Sequence, residues 1–348
     1  MDYQLDTWPT YAEQEWWRQW ATQHAGEFSL LTHWRDDPDR WRVLLRERLT
    51  ALLGLQHTRR DIAVQLLGSS DAHAFSIQKL AFPADDGLLV PAYLCVPHSN
   101  DIPLPAVVLS HDADTSKEAM VGLLTGVGSD LAVGARLAAA GYIVCCLDRR
   151  GFGERPRADY VSDIAAWAGR PAVAADAADL IASCDMLAQR PDVQNQRIGI
   201  IGIGRGVPAA LYAAILHSGY HATALCGYLS RYHSLPLVAD RRQRAALQSL
   251  FAGTVPAGLL ASADFEDLAC LLAPRPLCLY QRHEPALPLE PATDAARRIT
   301  EGYTLMGDKI KLTVEIADER TDYPGDTVID FLDDWLKLPV SAQSPPHD

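Results

Sequence analysis

The stretch RIGIIGIGRGVPAALYAA, Arg197 to Ala214, decides how the rest of the chain is read. Apolar β-formers from Ile198 to Ile203 run into Gly202, Gly204 and Gly206, and VPAALYAAIL follows with helical composition and Pro208 in a first turn, where proline is tolerated. The order is buried strand, sharp turn, helix. Two motifs with a mechanism occupy such a junction. One is the glycine cradle of a dinucleotide site; the other is the nucleophile elbow Gly-x-Ser-x-Gly, in which a strained turn lifts a serine above the sheet edge. Val207 stands where the dinucleotide spacing needs its third glycine, and Gly204 stands where the elbow needs serine. A dinucleotide fingerprint also opens the first βα turn and has an acid about 20 residues on. This turn comes late, and HATALCGY (221–228) supplies no acid.

Outward from the elbow, short apolar runs alternate with helix-like segments. PAVVLSH (105–111), YIVCCLD (142–148), ATALCGYL (222–229), PLCLYQR (276–282) and KLTVEIA (311–317) read as strands, with helical stretches such as DLAVGARLAAAG and VAADAADLIASCDMLAQ between most of them. That alternation predicts a mostly parallel twisted sheet covered by helices on both faces, an α/β fold. Before it, AFSIQKLAF, a DDG turn and LLVPAYLCVP predict an antiparallel hairpin. RWRVLLRERLTALLGL (40–55) has apolar residues at helical spacing, so residues 1–73 read as a helical extension whose tryptophans pack on the main domain. Residues 74–338 form that domain, with 230–265 as a lid, closed by the amphipathic helix GDTVIDFLDDWLKL and followed by a loose polar tail at 339–348.

Bulk properties narrow the partners. The 348 residues are 48% hydrophobic and 22% charged, and 31 basic against 44 acidic residues leave a formal charge of −13 with no basic block. Nucleic acid and anionic membrane are therefore not expected partners. A small-molecule ligand is, and self-association stays open. Seven cysteines include no C-x-x-C pair, and the adjacent Cys145 and Cys146 alternate faces of a strand. They read as core residues in a reducing compartment, and the acidic, tryptophan-rich start has no signal-peptide pattern, so a cytoplasmic location is expected. No cofactor or metal motif is carried; His217 and His221 have i, i+4 spacing, but a glycine lies between them and no third ligand is evident.

The motifs resemble the α/β-hydrolase superfamily, in its dienelactone hydrolase and acetyl xylan esterase branch. PAVVLSHDADTSKE resembles that branch's strand and oxyanion loop, where His-Gly stands in place of His111-Asp112. GYIVCCLDRRGFGERPR is similar to its Asp-x-Arg-Gly-Phe-Gly-Glu turn, and DLACLLAPRPLCLYQ to its Ala-Pro-Arg-Pro approach to the strand carrying the acid. The resemblance implies a Ser-His-Asp triad, with the nucleophile position falling on Gly204, the acid position on Glu284 and the histidine position on Thr321. Glycine has no nucleophile, and no histidine lies between His283 and His347. Loss of serine or histidine from such a unit costs about a millionfold in turnover in a serine protease, and Asp112 would bring negative charge to the oxyanion loop.

The expectation at this point is a non-hydrolytic member of the fold, a pseudoenzyme with a pocket or partner surface. The alternatives are an enzyme with relocated chemistry and a structural subunit. Relocated chemistry would use His111 with Asp112, or Glu284, as general base in a lyase, isomerase or atypical ester hydrolase. The candidate pocket is His111, Asp112, Arg205, Cys226, Tyr228 and His233, with Arg205 able to hold an anion beside a helix start and Cys226 with His233 a nucleophilic pair on paper. Arg149, Arg150 and Glu154 are expected to form a structural network at the sheet edge.

Overall fold

The structure is a computed structural model, and it describes residues 16, 19–21, 23–55, 61–98, 103–124, 132–156, 164–235, 241–282, 287–307, 309–317 and 325–337. The described residues form a nine-stranded sheet from β1 (Gln65–Asp71), β2 (Phe75–Pro83), β3 (Leu89–Pro97), β4 (Leu104–Ser110), β5 (Ile143–Leu147), β6 (Val193–Ile203), β7 (Tyr220–Cys226), β8 (Leu277–Arg282) and β9 (Leu312–Ala317). Their spatial order is β1-β2-β3-β5-β4-β6-β7-β8-β9. The first three pair antiparallel, β3 pairs antiparallel with β5, and every pairing from β5 to β9 is parallel. The predicted hairpin is β2–β3, with Phe82 opposite Val90 across the turn. One boundary shifts. The sheet begins at Gln65, inside the stretch read as helical extension, because the exposed edge strand β1 pairs with β2.

Seven consecutive buried residues in β4 explain why its sequence lacks polar alternation: both faces are covered. Ala106 and Val108 belong to one core cluster and Val107 and Leu109 to the other, and Cys145 and Cys146 divide in the same way. The helices that cover the sheet or bear on the site are α1 (Pro38–Leu53), α2 (Val133–Ala139), α3 (Ala172–Ala188), α4 (Val207–Leu216), α5 (Arg241–Phe251), α6 (Phe265–Cys270), α7 (Leu289–Leu305) and α8 (Asp326–Leu332). In α1, Trp41, Leu45, Leu49 and Leu53 recur every four residues and are fully buried. Trp41 also donates its indole N–H to the Phe28 carbonyl at 2.7 Å, which satisfies the polar end of a buried ring. Asp37 caps α1 from the Arg40 N–H, and Gly54, at φ 60°, ends it.

From β4 the chain runs to β5 on one side, and from β5 it crosses back to β6 on the other side of β4. Such a switch point opens a crevice at the carboxyl ends of the two central strands. In this sheet it lies between the ends of β4 and β6.

Candidate active site at the switch point

Register brings the site together. Ser110 of β4 stands opposite Gly202 of β6, so the residues two places beyond each strand's pairing, Asp112 and Gly204, meet over the sheet edge. β6 passes at Ile203 into a single tight turn, Gly204–Gly206, and then into α4 with Pro208 in its first turn, as the elbow pattern predicts. Gly206 has no side chain because a Cβ there would press on the Ser110 carbonyl and hydroxyl.

Gly204 adopts φ 50°, the left-handed region where an L side chain is strained. Its missing side chain does not leave a void. A Cβ added at Gly204 would overlap both carboxylate oxygens of Asp112. Asp112 thus reaches across from the β4 loop and places its carboxylate where a serine at the elbow would stand. It is held there by two backbone donors on one oxygen, Oδ1: the Arg205 N–H at 2.9 Å and its own neighbour Ala113 N–H at 2.6 Å. Among the described residues, Oδ2 accepts no hydrogen bond. The N–H after the nucleophile position is an oxyanion donor in this elbow geometry; here it cradles a resident carboxylate.

A cavity of about 50 Å³ opens at this point, lined by Asp112, Gly204, Gly227, Tyr228, Gln281 and Arg282 with Leu250 and Leu287. Tyr228 is the one non-glycine residue with positive φ among the described residues, at 62°. Its hydroxyl donates to the Leu250 carbonyl at 2.7 Å, so its ring forms a wall and its polar end ties helix α5 down. Burial pushes the Tyr228 phenol well above its ordinary range, which keeps it protonated.

The other candidates separate. His111 is buried, and both ring nitrogens are engaged: Nδ1 lies 2.6 Å from the Asp112 carbonyl, which it must face as a donor, and Nε2 accepts the Arg149 N–H at 3.3 Å. Burial lowers its pKa, with the Asp112 carbonyl pulling the other way. The expected role of His111 as general base is therefore corrected: it has no nitrogen left for a substrate proton, and it shapes the loop that presents Asp112. Cys226 is fully buried in the core with its thiol pushed up by desolvation, so it supplies no thiolate. His233 is turned to another partner, Asp264, whose Oδ2 holds Nδ1 at 2.8 Å, and Trp20 stacks on its ring. The Cys226–His233 pair is thereby corrected as well. Glu284 and Thr321 lie outside the described residues. His217 bonds Asp185 at 3.2 Å through Nε2 and accepts the Gly219 N–H through Nδ1, which uses both nitrogens locally.

The turn after β5 forms a charged network beneath the site. Arg149 bonds Asp176, Arg150 bonds Asp179 and Asp86, and Arg155 bonds Asp179 at 2.5 Å. Its centre is Lys117, fully buried, with its ammonium 2.5 Å from Asp148, 2.7 Å from Glu118 and 2.8 Å from Glu154. These three carboxylates lie close enough together to hold a metal ion, but the ammonium already sits among them. Desolvation opposes the charge on Lys117, yet the three carboxylates outweigh it and raise its pKa. Sequence reading reached Arg149, Arg150 and Glu154 and missed Lys117, Asp176 and Asp179, whose partners Asp148, Arg149, Arg150 and Arg155 lie 24 to 31 residues away along the chain. For Asp112 a signal was present: aspartate for glycine at 112 and glycine for serine at 204 are complementary departures from the family pattern.

Order of strands, elbow and switch-point crevice together define an α/β-hydrolase fold. No protein-family model matches the chain. Among curated sequences it is similar to "Putative hydrolase YtaP" of Bacillus subtilis (strain 168), 27% identical over 275 residues, which cover 75% of this chain and 88% of that protein. Among solved structures it is similar to a "putative acetyl xylan esterase (BF1801)" from Bacteroides fragilis NCTC 9343, with a TM-score of 0.73 at 14% identity, covering 91% of this chain and 84% of that one. It is also similar to a glucuronoyl esterase from Solibacter usitatus, with a TM-score of 0.63 at 15% identity, covering 85% and 92% of the two chains. The structural likenesses establish the fold. They also correct the expectation of a non-hydrolytic chain: the neighbours in fold are described as esterases and the sequence relative as a hydrolase, and nothing in the comparisons points to a pseudoenzyme. No helix among the described residues is long and apolar enough to cross a membrane.

Proposed function

We propose that the protein is a hydrolase of carboxylic esters that uses the Asp112 carboxylate at the switch point in place of an elbow serine. The observation that carries this reading is the seating of Asp112: its oxygens occupy the nucleophile position, one anchored by two N–H donors and the other free of them, beside a small cavity. A cavity of about 50 Å³ has room for a water, which needs about 10–15 Å³ of such space.

In this reading Asp112 takes a proton from water as the water oxygen attacks the ester carbon. The tetrahedral oxyanion then expels the alkoxide, which recovers the proton from Asp112, giving an acid and an alcohol. Because the Arg205 and Ala113 N–H groups already serve Asp112, the developing oxyanion would need a further donor, and Arg282 is among the residues that line the cavity. All seven cysteines are buried and unpaired, which suits a reducing compartment such as the cytoplasm.

The test is hydrolysis of p-nitrophenyl acetate and butanoate by the purified chain and by Asp112→Asn, which keeps the shape and removes the base. General-base loss should lower turnover about 10²- to 10⁴-fold. Turnover no greater than buffer, or equal in the two proteins, would refute the assignment.

A further inference from the structure

β4 ends at Ser110, two residues short of Asp112, so the loop that follows the strand sets where the carboxylate stands. This loop joins β4 to the short helix Lys117–Met120, and both of its ends are gripped by the turn that follows β5. At the near end the His111 ring accepts the Arg149 N–H at 3.3 Å, and the Arg149 guanidinium donates to the His111 carbonyl at 3.4 Å. At the far end the Lys117 ammonium reaches into the same turn, to Asp148 and Glu154. The turn is fixed in its own right, since Arg149 and Arg150 bond Asp176 and Asp179 of α3.

The far grip is shaped for an ammonium. The Tyr93 ring of β3 lies 5.5 Å from it, and Gly153, at φ 53°, leaves room for the Asp148 carboxylate, both oxygens of which a Cβ there would overlap. Asp148 Oδ2 is held in turn by the Glu154 N–H at 2.9 Å. Burying an ammonium is costly unless it is fully paired. A half-exposed lysine such as Lys79, 2.8 Å from Glu154, offsets the charge of the turn without that cost. What the buried position adds is a fixed distance between the β5 turn and the residue five places after Asp112. We infer that Lys117 is a positioning residue: its ammonium, locked among Asp148, Glu118 and Glu154, holds the far end of the loop so that the Asp112 carboxylate stays in the elbow seat against the Arg205 N–H. The structural half of this rests on the seating of Asp112 alone, and the catalytic half rests on the hydrolase reading.

Two measurements test the halves separately. Lys117→Met combined with Asp148→Asn removes both members of the buried pair, so neither charge is stranded; a thermal melt identifies unfolding, and Lys117→Ala with added n-propylammonium serves if the double variant does not fold. Amide hydrogen exchange needs no catalysis. Measured against the Ile200 N–H of β6, the Arg205 N–H should exchange about 13- to 160-fold faster in the double variant than in the wild type, the equivalent of losing a hydrogen bond to a charged group. In hydrolysis of p-nitrophenyl acetate, kcat should fall about 10²-fold, the cost of a misplacement of about 1 Å, with KM unchanged because only transition-state stabilisation is lost. In Lys117→Ala, n-propylammonium supplies the three carbons and the nitrogen that were removed, and it should restore both Arg205 protection and kcat. Unchanged Arg205 exchange in a folded variant overturns the inference, as does n-propylammonium that raises Tm without restoring Arg205 protection, or equal rescue by n-propanol. A wild-type kcat with the Arg205 amide freed overturns it as well. If the wild type cleaves no ester while Arg205 exchange rises as stated, Lys117 still positions Asp112 and the hydrolase reading alone falls.

Discussion

Alanine at position 204 would place a methyl group on the Asp112 carboxylate, and the cost can be worked from the geometry. Left-handed backbone at φ 50° adds about 1–2 kcal/mol for an L residue. Displacing the carboxylate gives up hydrogen bonds to a charged group, about 1.5–3 kcal/mol for the first of the two. Gly204→Ala should therefore destabilise the fold by about 2.5–5 kcal/mol. In an Asp112→Ala background the overlap disappears and only the backbone term of about 1–2 kcal/mol remains. The coupling between the two sites is then about 2 kcal/mol, readable from urea unfolding of the four proteins in a double-mutant cycle. Equal costs of Gly204→Ala in both backgrounds, within about 0.5 kcal/mol, would refute the claim that Asp112 occupies the serine seat. Serine obeys the same constraint: Gly204→Ser fits only when Asp112→Gly accompanies it.

Lys117→Met should destabilise the protein by about 3–5 kcal/mol, because it leaves the buried Asp148 without a counter-charge. At this chain length that corresponds to a fall in Tm of about 4–7 °C, and Asp148→Asn should restore part of it. His111 gives a pH dependence with a definite sign. Burial holds its folded pKa below the ordinary value of about 6.5, so the unfolded chain binds the extra proton. Its contribution is present above about pH 6.5 and is lost as pH falls below it, since protonation would also remove the acceptor of the Arg149 N–H. Unfolding free energy measured from pH 7.5 to 5 should fall less steeply in His111→Gln than in the wild type; equal slopes would contradict this.

The strand-turn-helix at 197–214, the hairpin, the parallel runs and the buried helix 38–53 were legible in sequence because each is a local pattern: apolar period, turn residues, capping residues. The exposed strand β1 was not, since QLLGSSD has no alternation and becomes a strand only through pairing with β2. Lys117 escaped for a related reason. A lone lysine in TSKE reads as a solvated helix start, and only the packing of the β5 turn over it makes it the buried centre of three carboxylates.

By itself the sequence determined the fold class, the place of the elbow and the absence of an elbow serine, all of which follow from residue type and spacing along one segment. Tertiary structure alone decided what fills that seat. Asp112 and Gly204 are far apart in sequence, and the parallel register of β4 on β6 brings them into contact. It likewise decided that His111 is locked between a carbonyl and an amide and that His233 faces Asp264. A side chain's partner depends on which strands lie side by side and in what register, and neither is written in the local pattern of apolar and polar residues.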